Sequence, residues 1–107
     1  MKTTYTNKLN VLSEFRKIDP EMPMQMAVVF LVVADEEGIN MTDLSKKAAI
    51  AQSSASRNVA ALSKWHRLNK AGHDLLHTKE DPTERRRKLV YLTPKGKQVA
   101  KAIAKLP

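Results

Sequence analysis

Two short apolar-periodic segments separated by three residues constrain this chain more than any other feature. The first runs from Thr42 to about Ala49, with Leu44, Ala48 and Ala49 on its inward side. The second starts near Ser53 and carries Ala55, Val59 and Leu62 at spacings of four and three. Each spacing places its apolar residues on one helix face. The link Ile50-Ala51-Gln52 is too short for anything but a tight turn, so the pair reads as a helix-turn-helix. Thr42 is a good N-cap for the first helix, and the charge of Asp43 suits a helix N-terminus.

The flanking elements follow from local signals. Residues 1–7 are polar and are expected to fray. A first helix is predicted over Lys8–Ile18, where Leu9, Leu12, Phe15 and Ile18 recur every three residues beside Val11. Asp19-Pro20 stops it. Pro23 suits the first turn of a second, buried helix over Met24–Asp35, and Gly38 fits a left-handed C-terminal cap. Ala71-Gly72 is predicted to end the helix that begins near Ser53. Asp74–Thr78 and Lys88–Leu92 then read as two strands of a hairpin, with Glu80-Asp81-Pro82-Thr83 as turn chemistry and Arg85, Arg86 and Arg87 at the tip. Thr93-Pro94 places an N-cap before proline and predicts a last helix from Pro94 to about Lys105. The expected fold class is mostly α with a small β wing, a winged helix-turn-helix.

Composition excludes several functions. The chain has 107 residues and no cysteine, which removes disulfide scaffolds, zinc–thiolate centres and cysteine redox switches. Three glycines cannot build a phosphate-cradling loop, and no serine sits in a glycine-flanked elbow, so no enzyme is expected. The longest apolar run, Met26–Ala34, is nine residues, about half a membrane span, and lies away from the N-terminus where a signal peptide would sit. His73 and His77 lie four apart, but Gly72 and Leu75-Leu76 argue against one helix. No metal is expected from them or from His66, and no cofactor.

Charge points to the partner. Residues 1–51 hold six Lys/Arg and seven Asp/Glu, a net of −1; residues 52–107 hold thirteen and four, a net of +9. Such asymmetry suits a polyanion, and double-stranded DNA is the expected one.

The order of elements resembles that of the MarR family of regulators (multiple-antibiotic-resistance type). Three segments carry the likeness: "MPMQMAVVFLVVADEEGINMTDL" over 22–44, "LSKKAAIAQSSASRNVAAL" over 44–62, and "DPTERRRKLVYLTPKG" over 81–96. The resemblance implies a single winged helix-turn-helix domain over 1–107. Its helix-turn-helix would span about 42–68 and its wing about 74–92, with the helices at 8–18 and 94–106 as elements of a homodimer. It also implies a cytoplasmic, nucleoid-associated transcriptional regulator, read here as a repressor. The sequence departs from the family in three places. Ala51 stands where a capping hydroxyl is usual, so Gln52 or Ser53 would have to cap. The stretch between Leu62 and Asp81 is longer than usual. After the wing there is room for one short helix, where the family has two long ones.

In this reading Gln52, Ser53, Ser54, Ser56 and Arg57 face the major groove, with Arg57 suited to a guanine edge and Gln52 to an adenine edge. Arg86 is expected to enter the minor groove, with Arg85 and Arg87 on phosphate or in an internal pair with Asp81 or Glu84. Lys88 and Lys64 are also expected to contact DNA, and Arg67, Lys70, Lys46 and Lys47 are phosphate candidates or plain solvated cations. Met22, Met24, Met26 and Met41 fit soft core filling or a pocket for a small-molecule effector. Two other classes suit the same basic surface: a winged-helix module docking on an acidic protein such as a polymerase or nuclease subunit, and nonspecific architectural DNA binding.

Overall fold

The computed structural model describes residues 2–64 and 71–106, with side chains from residue 5 onward. Among the described residues, five helices and a small antiparallel sheet follow one another as α1 (Lys2–Ile18), α2 (Met24–Asp35), β1 (Ile39–Asn40), α3 (Met41–Ala48), α4 (Gln52–Leu62), β2 (Leu76–Asp81), β3 (Glu84–Leu92) and α5 (Pro94–Ala104). The helix-turn-helix is α3–α4, and the hairpin β2–β3 is the wing. This is the winged helix-turn-helix that the periodicity predicts.

The core gathers one face from each element. Phe15 of α1 meets Phe30 of α2 edge to face, with ring centroids 5.7 Å apart. Val29, Val33, Leu44, Leu62, Leu75, Leu76 and Val90 are fully buried around them. Each such side chain contributes about 1.5–3 kcal/mol by leaving water. Ala55, Val59 and Leu62 of α4 face inward as their spacing predicts, and Ala61 is buried with them. Ala49 is exposed instead of inward: it adopts left-handed backbone (φ 58°) as the C-cap of α3, and Ser45 takes the buried position.

Several boundaries differ from the sequence reading, each for a local reason. Helix α1 begins at Lys2, well before Lys8, since no proline or glycine interrupts residues 2–7. The cap of α3 is Asn40, not Thr42. Asn40 lies in β1 opposite Leu89, and its Oδ1 accepts from the Asp43 amide at 2.8 Å. Gly38 is left-handed (φ 88°), but α2 is already capped by Glu36; Gly38 instead turns the chain into β1, its amide donating to the Val90 carbonyl at 2.8 Å. Helix α4 stops at Leu62, well before Ala71-Gly72. Ser63 is extended there and its hydroxyl donates to the Val59 carbonyl. The following backbone pairs with residues 72–75, including Leu75 N–H to the Leu62 carbonyl at 2.7 Å.

Strand order is β1-β3-β2, both pairings antiparallel, with a register shift at Glu80/Asp81. Helix α5 starts as predicted: the Thr93 hydroxyl accepts from the Gly96 amide at 3.0 Å, with Pro94 at the first turn. A Cβ on Gly96 would lie 2.1 Å from the Leu75 carbonyl oxygen, so only glycine lets α5 sit this close to the start of the wing. Among the described residues, no helix is long and apolar enough to cross a membrane.

Candidate nucleic-acid interface

The start of α4 is an exposed edge with no side-chain cap. Ala51 is its N-cap in extended backbone (φ −63°, ψ 150°), and no side chain bonds the first-turn amides. Neither Gln52 nor Ser53 caps in its place. Gln52 Nε2 donates to Thr42 Oγ1 at 3.4 Å, tying the start of α4 to the first turn of α3. Arg57 and Ser54 are joined at 3.3 Å, so the guanidinium is drawn back along its own helix. Gln52, Ser53 and Arg57 are exposed; Ser54 and Ser56 are half-buried.

The arginines sit elsewhere than the sequence reading placed them. The turn of the hairpin is Pro82-Thr83, and Arg85, Arg86 and Arg87 lie on the rising strand β3. The reason is Asp81. Its Oδ1 accepts from the Thr83 amide at 2.9 Å and from the Thr83 hydroxyl at 2.8 Å, closing a tight turn before the first arginine. Those two bonds hold the Asp81 carboxyl below its ordinary range, with the nearby Arg87 cation adding to them. Arg87 Nη1 lies 3.8 Å from Asp81 Oδ2, which makes Asp81 rather than Glu84 the acid of the internal pair.

Helix and wing meet in one open cleft of about 420 Å³. Thr42, Gln52 and Ser56 line its helical side, Glu84, Arg86, Arg87 and Lys88 its wing side, and Met41 is shared between them. A second depression behind it shares Met41, Ser56 and Lys88 and is lined also by Val59, Ala60, Ser63 and Thr78. The first cleft thus brings together five of the predicted site residues: Gln52, Ser56, Arg86, Arg87 and Lys88. Ser53, Ser54, Arg57, Arg85 and Lys64 lie outside it. Lys64 is exposed but follows the end of α4, so it is not on a later turn of that helix. Lys47 is paired with Glu36, and that hydrogen bond raises its pKa. Arg67, Lys70, His66 and the predicted end of the helix-turn-helix near residue 68 lie outside the described residues.

The two remaining histidines have separate surroundings. The ring nitrogens of His73 lie 3.2 Å from the Ala61 carbonyl oxygen and 3.3 Å from Asp19 Oδ2. His77 lies on β2 and stacks on Tyr91, ring centroids 5.7 Å apart. Of the methionines, Met22, Met26 and Met41 pack against the core, while Met24 is 79% exposed.

Sequence reasoning missed one pair. Asn58 Nδ2 donates to Gln25 Oε1 at 3.0 Å and to the Ser54 carbonyl at 2.8 Å, fastening the middle of α4 to the first turn of α2. The two residues are 33 apart, and no periodicity links them.

No protein-family model matches the chain, and no curated protein does. Solved structures match it over nearly its whole length. S. aureus MepR, solved as a complex with DNA, gives a TM-score of 0.75 at 15% identity, covering 96% of this chain and 77% of that one. Bordetella bronchiseptica BpsR, described with regulation of its DNA binding by 6-hydroxynicotinic acid, gives 0.64 at 22% identity, covering 96% and 74%. A MarR-family transcriptional regulator from Silicibacter pomeroyi gives 0.63 at 18% identity, covering 96% and 62%. The architecture is therefore a winged helix-turn-helix, and within that class it is the fold of the MarR-type regulators.

Proposed function

We propose that this chain is a sequence-specific DNA-binding transcriptional regulator, acting as a repressor. In this reading the first turns of α4 enter the major groove, where Arg57 and Gln52 read base edges. Arg86 reaches the adjacent minor groove, Arg87 is held in the wing by Asp81, and Arg85, Lys88 and Lys64 meet phosphates. One observation supports this above the others: the polar start of α4 and the cations of β3 line a single open cleft. A helix end and a cationic strand on one surface suit a major groove and the minor groove beside it. The similar MepR is itself solved as a complex with DNA.

The same reading makes the chain a homodimer on the nucleoid in the cytoplasm. Tyr5, Leu9 and Leu12 of α1 are 73%, 63% and 52% exposed, an apolar stripe that a second copy would cover. Phe15, on the same helix, is buried against Phe30.

Selection of preferred duplexes from a random pool tests the proposal. The expected product is an inverted repeat bound with an affinity that falls linearly in log–log with salt. Equal binding of all duplexes would favour architectural binding, and a flat salt response would remove DNA as the partner. Analytical ultracentrifugation at micromolar concentration, with and without the selected duplex, reads the dimer; a monomer in both would mean a single half-site is read.

A further inference from the structure

Met41 is placed unlike the other methionines. It is the first residue of α3, joined directly to β1, and it packs against the core while remaining partly exposed. Among the described residues it is the one methionine lining the cleft between α4 and the wing, and it also lines the depression behind that cleft. Ser56 of α4 and Lys88 of β3 share both surfaces with it. Met41 therefore lies at the seam between helix and wing, partly exposed, and lines a depression on either part of it.

A thioether is apolar and only a weak acceptor. Its sulfoxide is polar and a strong acceptor, and it forms without unfolding wherever an oxidant can reach the sulfur. In this seam the new oxygen would stand among Gln52, Arg86 and Lys88, groups that donate hydrogen bonds. It would compete for the cations that face the cleft and lose its fit against the core. The chain has no cysteine to intercept the oxidant by thiol chemistry.

We propose that Met41 is a redox modification site that loosens the grip on DNA. The sulfur lone pair attacks a hydroperoxide oxygen, the O–O bond breaks and an S–O bond forms. Sulfur is oxidised by two electrons, and hydrogen peroxide is reduced to water after proton transfer. Reduction by a methionine sulfoxide reductase reverses the change. Met24 is more exposed than Met41 but lines neither surface, so it is oxidised silently. The effect on affinity rests on the DNA-binding reading above.

The test uses the full chain and hydrogen peroxide. Cleavage after Lys17 and Lys46 leaves Met22, Met24, Met26 and Met41 on one peptide, residues 18–46, so tandem mass spectrometry assigns the oxygen to each sulfur. Affinity for the selected duplex is measured before and after oxidation in the wild type, Met24→Leu and Met41→Leu, and each protein is compared with itself. The wild type and Met24→Leu should lose about tenfold in step with Met41 sulfoxide, while Met41→Leu loses less than about twofold. Within the wild type alone, the time course gives the same answer: affinity should follow the Met41 oxide and not the Met24 oxide. Equal loss in Met41→Leu, or unchanged affinity with Met41 fully oxidised, overturns the proposal. If the reduced wild type binds no duplex, the functional reading fails separately, and amide exchange then decides. Faster exchange at residues 52–56 and 84–88 on Met41 oxidation is the expected result, and unchanged exchange overturns it.

Discussion

The two halves of the candidate interface are held in shape by different means. The wing carries its own geometry. Asp81 takes two hydrogen bonds from Thr83 and faces Arg87, so residues within six positions of one another close the turn and pin the strand. The start of α4 has no such local device. Ala51 supplies no cap, and the helix is held from a distance: by Leu62 and Val59 in the core, by Thr42 through Gln52, and by Gln25 through Asn58. A locally closed hairpin can be altered without unfolding the protein, whereas a helix placed by tertiary contacts should fail together with the core.

The largest break in this comparison comes from Leu62→Ala. Leu62 is fully buried at the last turn of α4, and its truncation should destabilise the protein by about 2–5 kcal/mol in denaturant titration. A loss below about 1 kcal/mol would mean that α4 is not held by the core.

Arg57→Ala should weaken the preferred duplex by about 1–3 kcal/mol and relax one base position, with little change in stability. Equal weakening of preferred and random DNA would make Arg57 a phosphate contact. Arg86→Ala and Arg87→Ala sharpen the contrast within the wing. The first should reduce affinity with hairpin exchange unchanged, and the second should also speed amide exchange at residues 81–84. Identical behaviour of the two would show that the Asp81–Arg87 pair does not shape the wing.

A smaller effect is expected at the missing cap. Ala51→Ser supplies an oxygen to the first-turn amides of α4 and should stabilise the protein by about 0.5–1 kcal/mol. Destabilisation would show that the methyl group packs.

The smallest effect is in pH. The folded Asp81 carboxyl lies below its unfolded value, so its contribution is complete above the ordinary carboxylate range and declines as the pH falls through the lowered value. Hairpin protection should hold down to about pH 4 and fall below it, and Asp81→Asn should remove this dependence. A loss of protection already near pH 6 would assign the titration to another group.

Short-range signals made much of this fold legible. The spacing of Ala55, Val59 and Leu62, the three-residue link after Ala49, Thr93-Pro94 and the Asp-Pro-Thr turn all act within one or two helical turns or one hairpin. A side-chain period or a cap can be read from such stretches because its physical cause lies in the stretch itself. The candidate site was half legible for the same reason: residue types named Gln52, Ser56, Arg86, Arg87 and Lys88, but nothing local said that these five share a cleft while Arg57 and Arg85 stand outside it.

Tertiary structure decided what depends on a distant partner. Asn40 outcompeted Thr42 as a cap because pairing with Leu89 held it extended at the right place. Helix α4 ended at Leu62 because its last carbonyls met the amides of residues 73 and 75 before glycine was reached. In both cases backbone pairing from elsewhere in the chain, each hydrogen bond worth about 0.5–1.5 kcal/mol, chose between two local signals.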